Sequence, residues 1–179
     1  MIPRGRAHKV SAMSTHIHFD IGSSTLGHVL VAINDKGICA ILPGDSPRAV
    51  LRELRERFPS TTLERDAARL ADAFAQVIAY VDGRSATLGL QLDATGTAFQ
   101  QRVWRALRAI PSGKTASYGD IARRIDAPKS FRAVAQACGA NPLAIVIPCH
   151  RVVRNDGALS GYRWGAARKR ALLDREAGR

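Results

Sequence analysis

The chain has 179 residues, enough to bury a proper core as one large domain or two small ones. Lysine and arginine number 27 against 15 acidic residues, a formal charge of +12, and the excess is lopsided: residues 1–90 carry 11 basic and 9 acidic groups, residues 91–179 carry 16 and 6. A field concentrated in the second half points to a polyanion partner there, while three scattered cysteines, Cys39, Cys138 and Cys149, exclude a disulfide framework or a four-thiolate zinc site and fit a reducing cytoplasm.

Residues 1–14 read as a basic, loose leader without the apolar centre of a secretory signal, and Met13 is an alternative start. No stretch approaches the ~18 apolar residues of a membrane span. An α/β domain is expected over residues 15–95. Ile17, Phe19 and Ile21 alternate as a half-buried strand; Gly27 to Ile33 and Gly37 to Leu42 form a hairpin around Asn34-Asp35-Lys36, giving a small three-stranded sheet. Ser46-Pro47 then supplies an N-cap and a first-turn proline for a helix with Val50, Leu51, Leu54 and Phe58 on one face. A second helix carries Leu70, Phe74, Val77, Ile78 and Val81 and ends near Asp82-Gly83. His16, His18 and His28 lack a cysteine or carboxylate at ligand spacing and read as strand or surface histidines.

Residues 96–179 read as mostly helical. Thr97 and Gln100 have capping-box spacing ahead of a helix burying Phe99, Val103, Leu107 and Ile110. Ser117 and Asp120 repeat that logic for a short helix; Asp126-Ala127-Pro128-Lys129 turns the chain into another, from about Ser130 to Ala140. Short helix, four-residue turn and second helix is helix-turn-helix spacing. Apart from Arg132 and Gln136 the second helix has almost no base-reading side chain. Its small residues suit close approach to a minor groove, with Arg132 long enough to enter the base stack; a core helix with an incidental arginine is the alternative.

The apolar run Leu143-Ala144-Ile145-Val146-Ile147 reads as a buried strand leading to Pro148-Cys149-His150-Arg151-Val152. A thiol beside an imidazole can become a nucleophile, because the thiolate is the attacking species. Adjacency alone leaves a small core cysteine as the alternative.

Phe99-Gln100-Gln101-Arg102-Val103-Trp104, Ile110-Pro111-Ser112-Gly113, Ser117-Tyr118, Arg132-Ala133-Val134, Ala140-Asn141-Pro142, the Pro148 to Val152 box, and Gly157 with Ser160-Gly161-Tyr162 together resemble the O6-alkylguanine-DNA alkyltransferases. The likeness is closest to the carboxy-terminal half of the bacterial adaptive-response protein. It spans roughly residues 15–178, with no counterpart expected here of that protein's amino-terminal four-cysteine zinc module. The resemblance implies a ribonuclease H-like first domain and a winged-helix-like second one. It implies Cys149 as alkyl acceptor, His150 as the base acting through a bound water, and Glu176, 27 residues after the cysteine, as the carboxylate orienting it.

By the same resemblance Tyr118 hydrogen-bonds a flipped base and supplies a proton as guanine leaves, Arg132 fills the vacated stack, and Asn141 is the hinge between the DNA-binding helix and the active-site strand. Ser117, Ala133, Gln136 and Arg151 join the DNA-binding set. Pro148, Val152, Ser160, Gly161, Tyr162, Trp164 and Lys169 line the alkyl pocket; Trp164 is bulky where some relatives carry glycine. The implied partner is double-stranded DNA containing O6-alkylguanine, held from the minor groove by a monomer in the cytoplasm, at the nucleoid. Displacement at a saturated carbon favours a soft sulfur and ends in a thioether, so each molecule acts once. No metal, nucleotide or flavin is implied. Two other classes fit parts of the pattern: a helix-turn-helix regulator with Cys149 in its core, and a thiol hydrolase turning over acyl substrates through Cys149, His150 and Glu176.

Overall fold

A computed structural model of the chain describes residues 16–159 and 161–178. The leader therefore lies outside the described residues, as does Ser160. An amino-terminal sheet domain is followed by a helical one, and both share a continuous apolar core.

Three antiparallel strands, β1 (His16–Ser24), β2 (Gly27–Asn34) and β3 (Gly37–Gly44), form the expected meander. Helix α1 (Pro47–Arg57) begins where the Ser46-Pro47 pair predicts, with the Ser46 hydroxyl accepting the Ala49 N–H at 3.2 Å. Its buried Val50 and Leu54 pack on β2 and β3, burial that stabilises by roughly 1.5–3 kcal/mol per side chain.

The sheet has four strands, correcting the three read from the sequence. Strand β4 (Thr62–Arg65) returns beside β1 in parallel, giving the order β3-β2-β1-β4. Thr-Leu-Glu-Arg is a short, mostly exposed edge strand with one apolar side chain, too little to show period-two alternation. Asp66 caps α2 (Ala67–Val81), which lies against β1 and β2.

At the other edge, β3 is covered by the protein's own chain. Ile38 exchanges backbone hydrogen bonds with Gln91 and Asp93, at 2.9 and 2.8 Å. Further along, the Ile41 N–H donates to the Pro142 carbonyl at 2.9 Å and the Ala144 N–H to the Ile41 carbonyl at 3.1 Å. Gly37 has φ 132° and lies so close to the Gln91 carbonyl that a Cβ would collide with it.

The helical domain holds α3 (Ala98–Arg108), β5 (Ala116–Ser117), α4 (Tyr118–Arg124) and α5 (Phe131–Gly139). Both capping boxes form, Thr97 with Gln100 and Ser117 with Asp120. The three helices pack on one another, and the Trp104 indole N–H donates to the Ala137 carbonyl at 2.9 Å, tying α3 to α5. Asp126, with φ 56°, makes the corner between α4 and α5. A 3₁₀ turn (Cys149–Arg151) precedes β6 (Val152–Val153), which pairs in parallel with β5; α6 (Ala166–Ala177) closes the chain, starting two residues before its expected Arg168. Among the described residues no helix is long and apolar enough to cross a membrane.

Candidate active site

Residues 143–147 are buried as expected, with Val146 half-buried, but do not form a strand. Only single bridges join Leu143 to Ile41 and Ala144 to Ile147, and Ile145 turns through φ 72°. Asn141 replaces the missing sheet partners. Its carbonyl oxygen accepts the Leu143 N–H at 2.9 Å, and its amide donates to the Ile147 carbonyl at 2.8 Å. An apolar run reports burial, not the side-chain hydrogen bonds that let a buried turn replace a strand.

The same Asn141 amide nitrogen lies 3.3 Å from Cys149 Sγ. Cys149 is 4% exposed, and burial raises its thiol to about 11, against the lowering pull of Asn141 and of Lys169. Roughly one molecule in 10⁴ therefore carries a thiolate at pH 7, so a resting nucleophile needs a proton acceptor. Burial raises Cys39 to about 12 and Cys138 further still, leaving Cys149 the least raised of the three thiols.

His150 is fully buried, and its Nε2 lies 2.8 Å from Glu176 Oε1. Burial pushes the Glu176 carboxyl up, but the bonds from His150 and Arg151 outweigh it and bring it down to about 2. An ionised carboxylate only accepts, so the imidazole proton is assigned to Nε2 and Nδ1 keeps a lone pair. That Nδ1 is buried and has no hydrogen-bond partner among the described residues. Burial holds the ring below its ordinary value, against the upward pull of Glu176, so it is neutral at pH 7. The thiol-imidazole pair sits in a 3₁₀ turn, not in the extended chain that would send neighbouring side chains to opposite faces.

Arg151, expected at the DNA surface, turns inward. Its Nε and Nη2 bracket Glu176 at 2.9 Å each, and Nη1 donates to the Ile110 carbonyl at 2.5 Å. The Gly113 N–H adds a fourth bond to Glu176, at 3.3 Å. Spacing marked Arg151 as basic; only the fold shows that its guanidinium is spent on the carboxylate.

The two-residue pairing of Ala116 with Val152 and Ser117 with Val153 sets Tyr118 beside the thiol turn. Burial, with the Cys138 and Cys149 thiols nearby, raises the Tyr118 phenol to about 12. It donates to the Gly161 carbonyl at 3.4 Å; Gly161 has φ 68°, and a Cβ there would press on the Tyr118 hydroxyl. Pro148 and Val152 are buried on either side of the turn, and buried Lys169 donates to the Val152 carbonyl at 2.5 Å. Tyr162 packs edge-on to Trp164, with ring centroids 5.3 Å apart. Trp164 itself points to the first domain: its indole N–H donates to Glu53 Oε2 at 3.0 Å, while Glu53 Oε1 accepts from Arg57 and Arg163. Glu53 showed no signal in the sequence beyond its place on α1.

Arg132 and Gln136 are exposed on α5, Ala133 is half-buried beside them, and Ser117 serves as the cap of α4. The Arg132 guanidinium lies 5.7 Å from the ring centroid of Phe131, which is 50% exposed. An open cleft of about 580 Å³ runs between this helix start and the 154–156 loop, with Tyr118 in its wall. Among the described residues the cluster with metal-ligand spacing is His16, His18 and Glu64, at the sheet edge opposite β3.

Sequence profiles of one family cover both halves. "6-O-methylguanine DNA methyltransferase, ribonuclease-like domain" matches residues 17–94, and "6-O-methylguanine DNA methyltransferase, DNA binding domain" matches residues 98–178. The chain belongs to the O6-methylguanine DNA methyltransferase family. It is 58% identical over 151 residues to the regulatory protein Ada of Salmonella typhimurium and 50% identical over 161 residues to the bifunctional transcriptional activator/DNA repair enzyme Ada of Escherichia coli. These matches take in 84% and 90% of the chain but 43% and 46% of those proteins, so the chain spans about half their length. The methylated-DNA–protein-cysteine methyltransferase of Mycobacterium tuberculosis is 48% identical over 131 residues, 72% of this chain and 79% of that protein. The crystal structure of M. tuberculosis OGT in complex with DNA superposes with a TM-score of 0.73 at 38% identity, over 91% of this chain and 93% of that one.

Proposed function

We propose that the protein repairs DNA by direct reversal, moving the alkyl group of O6-alkylguanine, and of O4-alkylthymine, irreversibly onto Cys149. The observation that carries this reading is the order of groups at the thiol: an ionised Glu176 fixes the Nε2 proton of a neutral His150, whose buried Nδ1 is left with an open lone pair one residue from Cys149. The thiol proton passes through a bridging water to Nδ1. Sγ forms a bond to the alkyl carbon as the bond from that carbon to O6 breaks, and the Tyr118 hydroxyl gives its proton to the departing purine anion. The imidazolium left at His150, steadied by the ionised Glu176, balances the phenolate left at Tyr118, and return of one proton from imidazolium to phenolate through water restores both neutral groups. A thioether has no leaving group that water can displace here, so the protein is consumed at one equivalent.

The basic second half and the small-residue face of α5 support double-stranded DNA as partner, entered from the minor groove by a monomer, with Arg132 filling the space of the flipped nucleotide. The cleft beside Tyr118 supports a path for the extruded base. A meander followed by a parallel fourth strand supports a ribonuclease H-like first domain, and the β5–β6 pair beside α4 and α5 supports a winged-helix-like second one. The domain boundary falls near residues 95 and 96.

Incubation with an excess of O6-methylguanine duplex, followed by intact-protein mass spectrometry and peptide mapping, tests the reading. The expected product is one added methyl per protein, on Cys149, with restored guanine in equal amount. Turnover beyond one equivalent, or label on Cys39 or Cys138, overturns it.

A further inference from the structure

His16 and His18 lie two residues apart on β1 and so project from one face of the strand. Strand β4 runs parallel beside them with Glu64 in register with His18. The two imidazoles stack, with centroids 4.6 Å and planes 8° apart. Glu64 Oε2 lies between them, 2.9 Å from His16 Nε2 and 3.9 Å from His18 Nδ1. Asp66, two residues further on, brings Oδ2 to 3.7 Å from the same His18 nitrogen while its Oδ1 accepts the Arg69 N–H. His18 Nδ1 is buried and has no hydrogen-bond partner among the described residues. His28, in register with Ser23 on β1, stands at the far end of that strand and takes no part.

The donor atoms of His16, His18 and Glu64 all fall within 4.8 Å of one another. Zinc bonds of about 2.0–2.1 Å in a tetrahedron set neighbouring donors roughly 3.4 Å apart, and the observed 2.9, 3.7 and 3.9 Å straddle that value. At the widest the donors lie 4.8 Å apart, so taking up an ion draws them together by on the order of 1 Å and tilts the stacked rings towards a common point. Two imidazoles with one or two carboxylates are a borderline donor set, suited to zinc and not to calcium or magnesium. We propose that His16, His18, Glu64 and Asp66 bind one zinc-class divalent ion, which staples the short edge strand β4 to β1. The carboxylates that seemed missing by sequence spacing arrive from β4 and from the α2 cap that follows it, 46 and more residues away along the chain. The bland alternative is an exposed His16–Glu64 ion pair, which contributes little.

The chelator-stripped full chain carrying Cys149→Ser, which removes the competing thiol, is titrated with zinc chloride by calorimetry in a phosphine reductant. The expected result is saturable binding at one equivalent, weakened about tenfold or more by His18→Ala and by Glu64→Gln, with a zinc-dependent rise in Tm that Glu64→Gln abolishes. The His16 and Glu64 side chains are 43% and 55% exposed, so His16→Gln and Glu64→Gln are expected to leave the fold intact, checked by circular dichroism, and keep the test decisive should His18→Ala unfold. Absence of saturable binding overturns the proposal, and so does binding that Glu64→Gln leaves unchanged.

Discussion

Asn141 holds Cys149 through the same amide group that closes the turn beneath it. Its nitrogen reaches the sulfur at 3.3 Å and the Ile147 carbonyl at 2.8 Å, while its oxygen takes the Leu143 N–H. Asn141→Ala leaves the buried Leu143 N–H without a partner, costing about 1–3 kcal/mol, and removes one of the two donors to the Ile147 carbonyl, which keeps the Cys149 N–H, a further ~1 kcal/mol. Urea unfolding at pH 7 should show a loss of about 2–4 kcal/mol, with the thiol titrating higher than in the parent. A loss below 0.5 kcal/mol, on the order of a surface substitution, would show that the turn holds itself.

The pH dependence of transfer separates the base from bulk solvent. With neutral His150 accepting the proton, the rate should be nearly flat from pH 7 to 9 even though the thiol titrates at about 11. His150→Gln should fall ~10²–10⁴-fold at pH 7 and then rise about tenfold per pH unit, since hydroxide must now ionise the thiol directly. Parallel profiles for the two proteins would remove His150 from the proton path.

Glu176 links the site to acid stability. Its folded value of about 2 lies below the ordinary 4.5, so its contribution is fully present above about pH 4.5 and is lost as pH falls towards 2. The shift corresponds to about 3 kcal/mol. Burial also depresses His150, whose unfolded form gains its proton first on acidification, so both groups destabilise the fold in the same direction. Glu176→Gln should cost about 3 kcal/mol at pH 7 and progressively less below pH 4.5. A difference that stays constant from pH 7 to 2.5 would contradict the assignment.

Arg132 and the other exposed arginines should separate by substrate. Arg132→Ala should slow transfer from duplex DNA much more than from free O6-methylguanine, because the few kcal/mol of unstacking arise only in the duplex. Arg108→Ala or Lys114→Ala, where they meet phosphate, should reduce the slope of log affinity against log salt by about 0.9 per contact. Equal losses on duplex and free base would make Arg132 part of the thiol site instead.

What the sequence made legible was local. Ser46, Thr97 and Ser117 announced three helix starts because a cap needs only its own first turn, and the alternation of Ile17, Phe19 and Ile21 marked β1 by itself. Strand β4 escaped because its partner lies 46 residues back and one of its four side chains is apolar. The run at 143–147 misled because burial and strand are different properties, and Asn141 supplies by side chain what a strand takes from neighbours. Cys149 and His150 stood out as a pair, whereas Glu176 came only through family resemblance: a glutamate on the last helix has no local mark of being turned inward. Arg151 was legible as a charge and not as a ligand of that glutamate, since direction is set by the 3₁₀ turn.

The chain that covers β3 carries a consequence for handling the two halves. Residues 91–93 and 142–144 saturate that edge with backbone hydrogen bonds, and the second of these stretches leads into the thiol turn. A fragment ending near residue 95 would keep the sheet but bare the Ile41 stretch, a row of unpaired donors and acceptors on a strand whose side chains are almost all apolar. Such a fragment should self-associate edge to edge, visible as light scattering that the intact chain lacks. Loosening the reactive half from the sheet thus unmasks a sticky seam, and solubility itself works to keep the two halves docked.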